Sequence, residues 1–133
     1  MPDDRLFLNV PLFPQVAHAG FPSPGDDYRE PPLDVQDLIA PHPNSTFFIR
    51  VKGQSLEGAC IRSGSIVVVD RSLTPSQNKI VVARVGQDLL LKRMQVRQRK
   101  VFLVADPPAF PAIELGPQDE IWGLVTYCIQ RVR

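Results

Sequence analysis

From Thr46 onward the chain repeats one texture, and that texture permits little but a sheet. "TFFIRVKG" (46–53), "SIVVVD" (65–70), "KIVVARV" (79–85), "DLLLKRM" (88–94), "KVFLVAD" (100–106) and "EIWGLVTYCIQRV" (120–132) are short apolar runs rich in β-branched or aromatic residues. Such side chains suit a pleated, half-buried surface. Turn chemistry separates them: Arg62-Ser63-Gly64, "TPSQN", Gly86-Gln87 and the basic "QVRQR". Gly123, inside the last run, marks a bulge. Close strand spacing with almost no helical periodicity predicts a mostly β body, a curled, barrel-like sheet.

The first third is different material. Nine of the 14 prolines lie within residues 1–43. Those at 2, 11, 14, 22 and 24 forbid a continuous helix and favour extended backbone. "LDVQDLIA" (33–40) has room for a helical turn or two before Pro41 and Pro43 end it. The chain thus reads as an extended N-terminal arm over 1–30 followed by a β-rich domain over 31–133.

Charge divides along nearly the same line. Residues 1–43 hold two basic and seven acidic side chains, net −5, and the other 90 hold thirteen basic and seven acidic, net +6. An acidic arm beside a mildly basic body lacks the strongly basic stripe of an autonomous DNA binder. No apolar run approaches the roughly 18 residues of a membrane helix. Cys60 and Cys128 form neither a disulfide framework nor a metal-ligand spacing, which favours a reducing, cytoplasmic setting. With only His18 and His42 besides, no metal or other cofactor is expected.

Within the arm, "VAHAGFPSPGDDY" (16–28) places two small residues, Ala19 and Gly20, at one peptide bond. Ala17-His18-Ala19 satisfies the small-x-small pattern of a secretory cleavage site, but the acidic start and Pro11 and Pro14 remove the leader reading. The bond is still suited to a narrow, strand-lined protease cleft, since neither residue carries a large side chain.

Two residues carry candidate chemistry. In "VKGQSLEGACI", Ser55 follows Gly53 at the end of a strand, where a hydroxyl can face outward beside backbone N–H groups. The same residue also suits a helical cap. Lys92 interrupts the apolar "DLLLKRM" and shares a face with Leu90 and Met94. It is either a snorkelling edge lysine or a lysine kept neutral by its surroundings, able to act as a base toward serine. Arg93, on the other face, reads as a solvated charge. Neither histidine is placed to serve Ser55. Cys60 reads as a structural thiol, "KRMQVRQRK" as a solvated basic hairpin, and Trp122, Phe47 and Phe48 as core or interface residues.

Taken together, the small–Gly bond, "GFPSP" with the following "DDY", "LDVQDLIAPHPNSTFFIRVKGQS", "VVVDRSL", "LLLKRM" and "EIWGLVT" resemble the UmuD proteins. These are self-cleaving serine–lysine peptidases, a group that also includes the LexA repressor. The resemblance spans roughly residues 16–130. It implies Ser55 as nucleophile and Lys92, 37 residues on, as general base of a Ser–Lys peptidase-like domain. It also implies Ala19-Gly20 as the scissile bond; for such a cut the backbone N–H of Ser55, with a neighbour such as Gln54, is expected to hold the oxyanion. The implied partners are a second copy of the chain, a RecA–single-stranded-DNA filament that stimulates cleavage, and an UmuC-type Y-family polymerase for translesion synthesis. Two departures stand out: Ala19 replaces the cysteine of the best-known members, and Gly-Gln-Ser-Leu replaces Gly-Asp-Ser-Met.

The alternatives are a non-catalytic polymerase-binding module with an inactive site, a repressor and a signal peptidase. Residues 1–30 cannot hold a helix-turn-helix, so direct sequence-specific DNA binding is not expected. A signal peptidase would need a membrane anchor.

Overall fold

The structure is a computed structural model and describes residues 34–53, 56–59, 61–105 and 111–132. The expected arm, 1–30, and its boundary lie outside these residues, as do Ala19, Gly20, Gln54, Ser55 and Cys60. The chain divides into two units after Leu38. Of the first, Asp34 opens the short helix α1 (Val35–Ile39), with its Oδ1 accepting from Gln36 N at 3.0 Å. This is the side-chain cap that a helix start needs.

The second unit is a seven-stranded antiparallel sheet: β1 (Thr46–Arg50), β2 (Ile66–Asp70), β3 (Ile80–Val85), β4 (Asp88–Arg97), β5 (Lys100–Val104), β6 (Ile113–Glu114) and β7 (Glu120–Ile129). Spatial order is β1-β2-β7-β3-β4-β5-β6. The mostly β expectation is met, and all six expected strands are present. Three end earlier than their apolar runs: β1 stops at Arg50, β5 at Val104 and β7 at Ile129. The two-residue β6 was not foreseen, because Ile113–Glu114 is too short to show alternation and pairs only with Phe102 and Leu103.

The last strand lies inside the sheet. β7 pairs with β2 on one side and β3 on the other, third in the order of seven and next to the middle strand β3. The inner segments Val67–Val69 and Val81–Ala83 are almost fully buried on both faces, which explains why they read as unbroken apolar runs rather than alternating ones. One face carries Leu56, Ile61, Val67, Val69 and Val82. The other carries Val81, Ala83, Met94 and Leu103. Burying each such Val or Leu contributes about 1.5–3 kcal/mol before entropy is counted.

β7 has two irregularities. Its pairing with β3 jumps from Gly123 to Ile121, leaving Trp122 as the extra residue, and its pairing with β2 jumps from Tyr127 to Val125, leaving Thr126. At the first, Arg71 Nε donates to Trp122 O at 2.8 Å and the guanidinium lies 4.5 Å from the indole centroid. At the second, Thr126 Oγ1 donates to Val68 O at 3.3 Å. Gly123 is needed for close approach: a Cβ there would stand 2.5 Å from Val69 Cγ1. The expected bulge is present, at Trp122 beside Gly123, and packing against β2 is what requires the glycine.

Candidate active site

Lys92 lies in β4 opposite Val81, which is fully buried. Successive pairings run Lys92–Val81–Leu124–Asp70–Thr46 across five strands. Directly paired residues share a face, so Lys92 and Asp70 stand on the same face in one row, three strands apart. The side chain is half-buried, and it makes no hydrogen bond or ion pair with a described residue. The β4–β5 ladder ends at Arg93↔Val104, one residue before it.

The adjacent Arg93 corrects an expectation. It is half-buried rather than freely solvated, and its Nη1 donates to Asn78 O at 2.7 Å. Asn78, with φ of 66°, turns its carbonyl toward that guanidinium. The "TPSQN" turn and β4 are thereby tied together, something that spacing along one strand does not reveal.

The loop from β1 to β2 is fixed on both sides of residue 55. Before it, Gly53 adopts φ of +99°, a conformation suited to glycine, and its N–H donates to Ser63 Oγ at 3.3 Å. After it, Leu56 is buried with Ile61 against Val67, Val69 and Val82. Leu56 O accepts from Ala59 N and Ile61 N at 3.0 and 3.2 Å, closing a single turn of 3₁₀ helix over Glu57–Ala59. Val51 N donates to Ser65 O and Gly64 N to Val51 O, both at 2.8 Å, sealing the loop's neck. Leu56 faces one side of the sheet, whereas Lys92 by register stands on the other.

A second polar cluster went unnoticed as a unit in the sequence. Asp70, 3% exposed, receives His42 Nδ1 on Oδ2 at 2.7 Å. Its Oδ1 accepts from Ser72 N at 2.8 Å, Ser72 Oγ at 2.6 Å and Ser45 Oγ at 3.2 Å. Burial by itself pushes this carboxyl up, but the bonds from Ser72, His42 and Ser45 outweigh it and bring it down to about 2. Ser, His and Asp are the residue types of a catalytic triad, but the contacts are in the wrong order. Ser72 Oγ lies 3.4 Å from Nδ1, the same ring nitrogen that meets Asp70. A triad needs the serine on the opposite nitrogen. The cluster instead joins the 42–46 segment to the end of β2, aided by Arg71 N on Ser45 O at 2.8 Å, while Thr46 Oγ1 on His42 O at 2.6 Å closes the segment on itself. The signal available in sequence was Asp-Arg-Ser closing an apolar run, the pattern of a side-chain-bonded turn.

Trp122 is partly buried and meets Phe47, ring centroids 5.1 Å apart, whereas Phe47 and Phe48 are both exposed. Among the described residues, no group of three or more His, Cys, Asp or Glu stands together as a metal site. No helix among them is long and apolar enough to cross a membrane.

Comparison with known proteins gives this arrangement its context. The Peptidase S24-like family model matches residues 11–126. Protein MucA of Salmonella typhimurium is 37% identical over 124 residues, covering 91% of this chain and 84% of that protein. Protein SamA of Salmonella typhimurium (strain LT2) is 38% identical over 125 residues, 93% of this chain and 87% of that protein. The LexA repressor of Pseudomonas chlororaphis is 30% identical over 133 residues, 98% of this chain and 63% of that protein. The chain belongs to the Peptidase S24-like family, and within it to the UmuD- and LexA-like self-cleaving serine peptidases.

Proposed function

We propose that the chain cuts its own Ala19–Gly20 bond with a Ser55–Lys92 dyad. The observation that carries this reading is Lys92, an amine set into an apolar face opposite buried Val81 and without a partner among the described residues. A lysine used only for solubility gains nothing from such a position, whereas a base toward serine must not be held by a carboxylate.

Lys92 Nζ takes the proton of Ser55 Oγ, which attacks the Ala19 carbonyl. The backbone N–H groups of Ser55 and Gln54 hold the oxyanion. The acyl-enzyme forms at Ala19, the fragment beginning at Gly20 leaves with a proton returned by Lys92, and water then releases residues 1–19. The cleavable arm is 1–30 and the peptidase domain 31–133. The reading requires Ser55 Oγ to come within hydrogen-bond reach of Lys92 Nζ, although Leu56 is anchored on the other face.

The family assignment supports a role in the SOS response. In that role a RecA–single-stranded-DNA filament stimulates cleavage in the cytoplasm, and the processed homodimer serves an UmuC-type polymerase in translesion synthesis and mutagenesis. Mass spectrometry of the wild type and of Ser55→Ala, with and without an activated filament, tests both levels. Loss of 19 residues from the wild type alone, faster with filament, is expected. Equal cleavage of Ser55→Ala removes the dyad, and a rate indifferent to the filament removes the SOS coupling. If neither protein is cut at alkaline pH, the site is inactive and the chain acts as a binding module.

A further inference from the structure

A groove of about 840 Å³ opens where β1 ends, β2 begins and β7 runs out. It lies at the opposite end of β2 from the row that holds Lys92 and Asp70. Arg50, Arg62 and Arg131 line it, with Ser65, Ile66 and Ile129 among the other lining residues. Arg50, Ile66 and Ile129 are paired across the three strands and share a face, so the arginine borders an aliphatic floor. None of the described residues that line the groove is acidic.

The two inner guanidinium groups are held rather than free. Arg62 Nε donates to Gln130 Oε1 at 2.9 Å and its Nη2 to Arg131 O at 3.1 Å, while Arg50 Nη1 donates to Gly64 O at 2.9 Å. All three acceptors are neutral, and no carboxylate of a described residue lies within ion-pair distance of Arg50, Arg62 or Arg131. Three positive charges thus converge on one groove with their orientation partly set, which lowers the ordering cost of binding an anion. Beside them, on the same face of the sheet, Ile129, Tyr127 and Phe48 are 45%, 43% and 60% exposed. Exposed apolar side chains adjoining a basic groove that no described carboxylate neutralises mark an interaction surface rather than a solvated face.

We propose that this groove binds an extended, acidic and apolar peptide segment of a protein partner, with carboxylates on Arg50, Arg62 and Arg131 and aliphatic side chains over Ile66 and Ile129. Arginine pairs carboxylates bidentately, and the apolar floor rewards burial of side chains between them. A nucleic-acid strand would meet the same arginines, but its bases call for aromatic stacking platforms, and the groove floor is aliphatic. The inference does not depend on the dyad, because none of these residues belongs to it.

Fluorescence anisotropy on the full-length chain tests it, using a short labelled peptide of alternating aspartate and leucine, a lysine–leucine counterpart and an oligothymidylate of equal length. The aspartate–leucine peptide should bind, weaken with salt, and lose at least about tenfold in affinity with Arg131→Glu or Arg62→Glu. Arg131→Glu is the cleaner variant, since its guanidinium makes no bond to a described residue and the melting temperature should not move. Binding unchanged in Arg131→Glu, no binding to the wild type, or equal or tighter binding of the oligothymidylate each overturns the proposal.

Discussion

Lys92 and Asp70 occupy one row of the same sheet face, and the structure treats them in opposite ways. Asp70 is buried with four donated hydrogen bonds from His42, Ser45 and Ser72. Lys92 is half-buried beside Val81 with no partner among the described residues. A buried charge that is fully hydrogen-bonded serves the fold, since breaking its network exposes the desolvation cost that the bonds offset. A charge set among apolar residues without such partners does nothing for the fold and is available for chemistry. The contrast separates a structural ion from a candidate catalytic one without reference to distance from a cleft.

The largest effect should come from breaking the Lys92 side. Lys92→Met, close in length and apolar, should reduce self-cleavage by at least about a thousandfold while leaving urea unfolding unchanged or slightly more stable. A marked loss of stability in Lys92→Met would make the lysine structural and dissolve the contrast.

Asp70→Asn should do the converse, losing about 1–3 kcal/mol of stability for the buried bonds left unsatisfied. Its cleavage rate should fall only as far as the folded fraction does. The acid limb has a definite sign. The Asp70 carboxyl is lowered from 3.8 to about 2, so its contribution is present above 3.8 and fades as pH falls toward about 2. Acid unfolding of Asp70→Asn should lack that component. If the two acid-unfolding curves run parallel, the cluster is not what holds the 42–46 segment to β2.

Gly123→Ala tests the inner part of the sheet that joins the two sites. Its Cβ would meet Val69 Cγ1 at 2.5 Å and Arg71 Cγ at 3.3 Å, so a loss of about 1–3 kcal/mol is expected in denaturant. The smallest effect belongs to the β4–β5 hairpin. Gln98 and Arg99 have φ of 51° and 65°, a two-residue turn that suits Asn-Gly far better. Replacing the pair with Asn-Gly should stabilise the fold by about 1 kcal/mol without touching cleavage. A changed cleavage rate there would show that the hairpin takes part in the reaction.

Strand identity was legible because β-branched runs and turn residues are local properties of the chain. Strand ends were less so: Val51 and Lys52 keep the apolar-polar texture of β1, yet the chain turns there into the loop that Gly53 and Leu56 fix. β6 was invisible because two residues carry no period. Lys92 stood out because a single amine among leucines needs no tertiary information to be noticed. Arg93 was misjudged because its partner, Asn78 O, is brought to it by a turn fifteen residues away. The His42–Asp70 cluster escaped for the same reason at greater range, its members being 28 residues apart.

By itself, the sequence determined the class of fold, the order of the six longer strands along the chain, the family and the residues worth testing. Periodicity, turn chemistry and short motifs are written in neighbouring positions, so they survive without coordinates. Only the tertiary structure decided that the last strand sits inside the sheet, that Lys92 and Asp70 share one row, and that three arginines from separate segments border one groove. Those facts depend on which strands pair and in what register, and long-range pairing leaves no mark on any single stretch of the chain.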